Sequence, residues 1–453
     1  MANRSLFGGL TNLLKRPDVV NHEGAPAYSL SPRHALAQLA MTGCLNSTFY
    51  ADAETQLGEV LSRCFEVEPA YVAKTAVYAR RHGRMKDLPG LLCAWLAAFD
   101  GALLERVFDR VVDNGTMLRN FVQVVRSGRV ARKSLGSLPK RLVQRWLVEA
   151  SDERLIRALV GQQPSLADVI RMVHPKPKDA AREALFGYVL GREVDVAKLP
   201  AALQAFERFK RDASADVPDV PFQLLTALEL TTAHWTAIAR QVGWTALRMN
   251  LNTFARHGVF EDRAALRAVA RRLGDEHEVR KARVFPYQLL AARRATTALP
   301  AEIREALERA LEHATANVPA VCGSVAIAVD VSGSMESPVT GHRRGATTSV
   351  RCVDAAALLA ASMLAANPGA VVLPFNDQVR SWTGRSRSVA QTAEALAQLL
   401  GGGTNVSAPL AELVRRNMAP DLIVIVSDNQ SWIDARQHGA TETLRQWEKL
   451  KQH

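Results

Sequence analysis

The chain has 453 residues, too many for one ordinary hydrophobic core, so two or more domains are expected. Hydrophobic residues make up 48% and charged residues 23%, as in soluble globular proteins, and no apolar run approaches the ~20 residues of a membrane-spanning helix, which excludes a helical membrane protein. The net charge of +12 is uneven: twelve Lys and Arg face eleven Asp and Glu at 320–453, leaving 45 against 34 at 1–319.

The start, Met1-Ala-Asn-Arg-Ser-Leu-Phe-Gly-Gly-Leu, has no apolar core before a cleavage site, so no secretory signal is visible. Cys44, Cys64, Cys93, Cys322 and Cys352 are scattered, odd in number and without zinc spacing. They read as buried or free thiols of a reducing compartment, and the expected location is cytoplasmic.

Residues 1–319 read as helical almost throughout. Leu104, Val107, Phe108 and Val111 follow the i, i+3, i+4, i+7 spacing of an amphipathic helix, as do Leu118, Phe121, Val122 and Val125. Ile303, Leu307, Leu311 and Ala314 keep to one face in the same way. Pro69, Pro89, Gly115, Pro164, Pro175 with Pro177, and Pro218 with Pro221 punctuate the pattern. Helix density and length fit about seven helix pairs of ~40 to 47 residues, the HEAT class.

Basic clusters sit at helix ends and loops of this part. Arg80-Arg81-His82-Gly83-Arg84-Met85-Lys86 is the first; Arg126, Arg129, Arg132 and Lys133, followed by Lys140-Arg141, form the second; Arg171 with His174-Pro175-Lys176-Pro177-Lys178 forms the third. Guanidinium forks suit phosphates, and a basic domain beside a near-neutral one suggests a polyanion partner. Taken singly, each cluster is a solvated helix end, where positive charge is mildly favourable anyway. Three in one basic domain favour binding. His174, beside Lys176 and Lys178, could bond a phosphate or stack on a base, although a lone histidine is more often a surface or packing residue.

Residues 320–453 alternate strand and helix patterns. Val325–Val329, Ala370–Phe375 and Leu422–Val426 read as buried parallel strands, with helices near 353–366 and 389–400 and an antiparallel edge strand at Gln378–Trp382. Ligands of an open α/β sheet bind beyond the carboxyl ends of its strands. Asp330, Ser332 and Ser334 follow the first strand, Gly401-Gly402-Gly403 leads into Thr404, and Asp428 closes the last strand. All five side chains carry hard oxygens, the donors that Mg2+ or another divalent cation prefers. Alone, Asp-x-Ser-x-Ser is a helix N-cap; the three pieces in this order favour a metal site. A basic insert, Ser337–Ser349 with His342, Arg343 and Arg344, stands beside it.

Asp330-x-Ser332-x-Ser334, Thr404 and Asp428 resemble the metal-ion-dependent adhesion site of von Willebrand factor A domains. The resemblance implies that the two serines and the threonine ligate Mg2+ directly or through water, that the aspartates hold it directly or from behind, and that one coordination position is left for an acidic group. An A domain ordinarily continues past the helix after Asp428, whereas this chain stops at Lys451-Gln452-His453. The sheet is therefore expected to be C-terminally truncated, with an unpaired edge. Asn405 stands where many related chains have aspartate, and is not expected to abolish the site.

The first part resembles the TROVE domain of the Ro ribonucleoprotein family, including its bacterial Ro-like members. The resemblance rests on Gly43–Tyr50 followed by Ala51–Leu57; Gly83-Arg84 with Pro89-x-Leu91-Leu92; Lys140-Arg141 with Trp146; and His174-Pro175-Lys176-Pro177. It continues through Trp235 with Thr245-Ala246-Leu247-Arg248-x-Asn250-Leu251 to Lys281-Ala282-Arg283-Val284-x-Pro286-Tyr287. It implies a TROVE-like ring of HEAT-like helical repeats at 1–319, closed by an A domain at 320–453. It also implies Y-like noncoding RNA on the outer surface and single-stranded ends of misfolded RNA in a central hole.

Lys140, Arg141 and His174 are the candidates this resemblance gives for the Y RNA surface, with Lys176, Arg132, Lys133, Arg84 and Lys86 added from charge. The chain is then a non-enzymatic scaffold of RNA quality control or nuclease tethering, expected to act as a monomer off the membrane, with an exoribonuclease as a candidate partner. The alternative is a protein-binding adaptor that uses the adhesion site and a helical solenoid. A metal-dependent hydrolase is disfavoured: a haloacid-type phosphatase needs a second Asp where Ser332 stands, and no histidine or cysteine nucleophile pair is legible.

Overall fold

Leu104, Val107, Phe108 and Val111 lie in the helix Gly101–Val111 and are at most 7% exposed, so its apolar stripe is a core face. In this computed structural model Leu118, Phe121, Val122 and Val125 are likewise sealed in the helix Gly115–Arg126. Ile303, Leu307, Leu311 and Ala314 are buried in Ala301–Thr315. The structure describes residues 14–315, 318–339, 350–384, 388–435 and 439–452. The basic insert, with His342, Arg343 and Arg344, lies outside the described residues from 340 onward.

The chain divides into two compact units. One holds Leu30–Ser47 and Ala51–Val242; the other holds Gly243 onward together with Thr48–Tyr50 and the segment up to Ser29. The first is all helical among its described residues, and from Pro69–Arg81 to Leu166–Val173 its helices pack against the next but one, as stacked helix pairs do. Polar caps set the starts: Asp52, Asp100, Asn114, Ser151, Ser165 and Asp179 each accept a backbone N–H of the following first turn. Gly115 allows a close approach, since a Cβ there would stand 2.3 Å from that of Ala158. Buried Arg182 donates to Leu147 O (2.7 Å), Ala150 O (2.8 Å) and Asp152 (3.1 Å), capping the helix Ser137–Glu149 that bears Lys140 and Arg141.

In the second unit a two-residue hairpin, β1 (Val19–Val20) and β2 (Pro26–Ala27), precedes a parallel sheet of β3 (Val325–Asp330), β4 (Val371–Phe375) and β5 (Leu422–Val426). The sheet order is β4-β3-β5, and β3 is buried along its whole length, as its apolar run requires. The helices Cys352–Ala366 and Val389–Ala397 pack together, and Ser407–Arg415 packs on Glu442–Leu450. The expected edge strand at Gln378–Trp382 does not form. The chain turns back after Phe375, and Val379 makes a single antiparallel bridge to it, because Asn376 and Asp377 are engaged by Gly401 O and Gly403 N.

Among the described residues no strand follows β5, so its outer edge is open, with Ile425 37% exposed. A cleft of about 610 Å³ is lined there by Ile423, Ile425, Leu444 and Trp447 and by Ala25 and Tyr28 of the N-terminal segment. All five cysteines are free, and burial pushes Cys64 and Cys93 up to about 12. No helix among the described residues is long and apolar enough to cross a membrane.

Candidate metal centre and nucleic-acid interface

Asp330 is the last residue of β3 and is fully buried. Its Oδ1 accepts the Ser332 backbone N–H (2.9 Å) and its Oδ2 accepts the Ser427 hydroxyl (2.5 Å). Ser332 Oγ lies 3.3 Å from Ser334 Oγ, and Ser334 donates to Asp428 Oδ2 at 2.5 Å. The glycine loop closes on the same place: Gly333 N–H donates to Gly402 O (2.9 Å) and Gly401 N–H to Val331 O (2.8 Å). Gly402 has φ +84° and Gly403 N–H bonds Asp377, so the turn into buried Thr404 is fixed by glycine geometry.

Four of the five expected ligands are thus joined by direct contacts, and Thr404 is delivered beside them on the adjoining loop. Burial pushes the Asp330 carboxyl up, with the Asp428 charge adding to it against hydrogen bonds from Ser332 and Ser427. The donor set fits a hard cation, for every side chain offers oxygen and two carboxylates sit where a positive charge would relieve them. Among the described residues no three His, Cys, Asp or Glu side chains cluster as a metal site, so a cation here would need the hydroxyls beside the two carboxylates. Asn405 is occupied locally: its amide donates to Asp377 O (3.0 Å) and its oxygen accepts the Ser407 hydroxyl (2.7 Å) at the start of Ser407–Arg415.

The expected RNA residues fall into two groups. Lys140, half-buried, and Arg141, exposed, lie near the start of Ser137–Glu149. One turn on, Gln144 donates to Val173 O (2.5 Å) and His174 O (3.4 Å), which anchors the His174–Lys176 turn beside that helix. His174 caps Leu166–Val173 in the left-handed conformation with an exposed side chain. Arg84 and Lys86, both exposed, lie in the turn before Asp87–Phe99, and no hydrogen bond among the described residues ties that turn to the Lys140 helix. Arg132 is used internally, its guanidinium donating to Ala97 O, while Lys133 is exposed.

A Ro60 von Willebrand factor A domain model matches residues 324–452 and a TROVE domain model matches residues 216–351, so together they span more than half of the sequence. The chain belongs to the Ro family. An RNA-binding protein RO60 of Deinococcus radiodurans is 26% identical over 460 residues, covering 93% of this chain and 85% of that protein. An RNA-binding protein RO60 of Caenorhabditis elegans is 26% identical over 202 residues, covering 42% of this chain and 30% of that protein. The crystal structure of the Deinococcus radiodurans RO (RSR) protein shares the fold, with a TM-score of 0.65 and 23% identity over 93% of this chain and 90% of that one.

Two groups at this centre were not among the expected ligands. Ser427 was visible only as the residue before Asp428. Tyr50 donates to Asp428 Oδ2 (3.2 Å), stacks on His22 at 5.5 Å and meets Phe49 edge-on at 4.8 Å. Asn21 and His22 N–H bond Ser431 O (2.7 Å) and Gln430 (2.9 Å), so the N-terminal segment lies along the loop after β5. The aromatic pair Phe49-Tyr50 was the available signal, but nothing in its local spacing points to a residue 378 positions away.

Proposed function

We propose that this Ro-family chain is an RNA-binding scaffold whose helical part holds noncoding RNA and the single-stranded ends of structured or misfolded RNA. The RNA-binding relatives, the basic excess at 1–319 and the Gln144 link that holds the backbone of the His174 turn against the helix of Lys140 and Arg141 support this reading. That link carries it, since a phosphate-binding surface needs segments bearing its polar groups to be held at fixed spacing. Asp330, Ser332, Ser334, Thr404 and Asp428 would hold Mg2+, which would supply a Lewis-acid position for an acidic group while doing no bond chemistry. A Y-like RNA, an exoribonuclease partner, a monomeric state and a role in RNA quality control belong to the same proposal.

The test is a salt titration of RNA binding. Lys140→Ala with Arg141→Ala should weaken binding and flatten the plot of log K against log salt by about 0.7 for each lost contact to a single strand. An unchanged slope would remove this surface from the interface. Binding of a protein ligand that survives nuclease treatment and needs Mg2+ would favour an adaptor instead.

A further inference from the structure

We propose a second nucleic-acid site: a furrow between the helices Pro69–Arg81 and Gly101–Val111 that takes a few nucleotides of single-stranded RNA. It rests on the RNA-binding reading but uses none of the residues named for it. The furrow encloses about 490 Å³. Its floor is apolar, with Ala73, Val77 and Val107 buried beneath it. Lys74 and Arg81 rise on one side and Arg106 and Arg110 on the other, all four exposed. No acidic residue lines it.

The charge is segregated. On Gly101–Val111, Glu105 and Asp109 are drawn to the neighbouring helix, where they meet Arg141 (3.7 Å) and Arg145 (2.6 Å). Arg80 is likewise taken by Asp113 at 2.6 Å. Among the described residues Lys74, Arg81, Arg106 and Arg110 take part in no ion pair. Four like charges around an apolar floor repel one another, and a polyanion relieves that repulsion. The furrow also holds a stacking surface. Tyr78 is 57% exposed and its ring stacks on His82 at 4.7 Å and 27°.

A large exposed aromatic between phosphate-binding cations is the arrangement that receives an unstacked base. Acidic side chains alone would engage the cations but bring no aromatic ring to Tyr78, whereas every nucleotide carries one beside its phosphate. Packed helices ordinarily lie about 8–10 Å axis to axis, so the surface furrow above such a pair is too narrow to seat a duplex. Lys74 and Arg81, seven residues apart, span about 10 Å of helix, the scale of a short single-stranded segment.

A short fluorescein-labelled oligouridylate, followed by anisotropy against the full chain, tests the site. Tyr78→Ala should weaken binding about tenfold, the loss expected of one stacked base, while Tyr78→Phe should bind like the parent. Arg106→Ala with Arg110→Ala should flatten the salt plot by about 1.4, two contacts' worth. These side chains are exposed, and an unchanged circular dichroism spectrum verifies that the variants fold. Parent-like binding by Tyr78→Ala and by the double arginine variant would overturn the furrow, and if Lys140→Ala with Arg141→Ala then weakens the same probe, the general RNA reading stands without it. Failure of the parent to bind any oligonucleotide would overturn both. Displacement of the probe by polyglutamate as effectively as by unlabelled oligouridylate would also overturn it, in favour of an acidic protein partner.

Discussion

Asp354 ties helices that precede the A domain to the A domain itself, and its replacement by alanine has a calculable cost. The carboxylate is fully buried in the first turn of Cys352–Ala366. It accepts Arg294 Nη1 (2.7 Å) and Nη2 (2.8 Å), the Arg351 backbone N–H (2.8 Å), and Arg351 Nε (3.2 Å) and Nη2 (3.0 Å). Burial works to raise its pKa, but the two guanidiniums outweigh burial and hold it well below the usual carboxylate range. Removing one member of a buried pair costs about 3–5 kcal/mol. The arginine side chains are 30% and 34% exposed and can draw water once abandoned, which places the loss near the low end, about 3 kcal/mol.

Urea unfolding, with hydrogen exchange of Cys352–Ala366 as the local readout, measures this without assuming that the two units unfold together. The pH dependence follows from the direction of the shift. A folded pKa below the unfolded 3.8 means that the stabilisation is complete above that value and lost as pH falls through it toward the folded pKa. The difference between parent and Asp354→Ala should therefore shrink below about pH 4. A loss under about 1 kcal/mol at neutral pH, the range of a surface ion pair, would refute the argument that the cluster is desolvated.

Asp330→Ala should abolish the calorimetric signal of Mg2+ titration while leaving RNA affinity unchanged; a parent-like heat of binding would remove Asp330 from the ligand set. Arg182→Met should cost about 2–3 kcal/mol in urea unfolding, because Leu147 O and Ala150 O lose a charged donor inside the protein. It should also weaken RNA binding through the Lys140 helix, and a variant as stable as the parent would show that water replaces the guanidinium.

What the sequence made legible was whatever repeats at short range. The helical stripes of Gly101–Val111, Gly115–Arg126 and Ala301–Thr315, and the three strands β3, β4 and β5, all follow from spacing, since burial selects apolar residues at the period of the element. The approach of Asp330, Ser332, Ser334 and Asp428 was legible because parallel strands bring their carboxyl ends together. Tyr50 and Ser427 were not, because they act through tertiary contacts that leave no periodic trace. The expected strand at Gln378–Trp382 misled for a related reason: the Asp377 carboxylate is committed to Gly403 N–H, a partner 26 residues away, and this fixes a turn where an edge strand was expected.

Charge was the least legible quantity, because a count cannot distinguish a free cation from a spent one. Clusters that look equivalent in the sequence separate in the structure. Arg80, Arg129 and Arg171 each meet a carboxylate, Arg132 is turned onto a backbone carbonyl, and Arg182 never reaches solvent. Such groups add to the formal charge but release few counterions on binding a polyanion, since their own partners already neutralise them or their donors are engaged. The salt dependence of RNA binding should then follow the uncompensated cations, Lys140, Lys176, Lys74, Arg81, Arg106 and Arg110 among them, rather than the excess of eleven charges at 1–319.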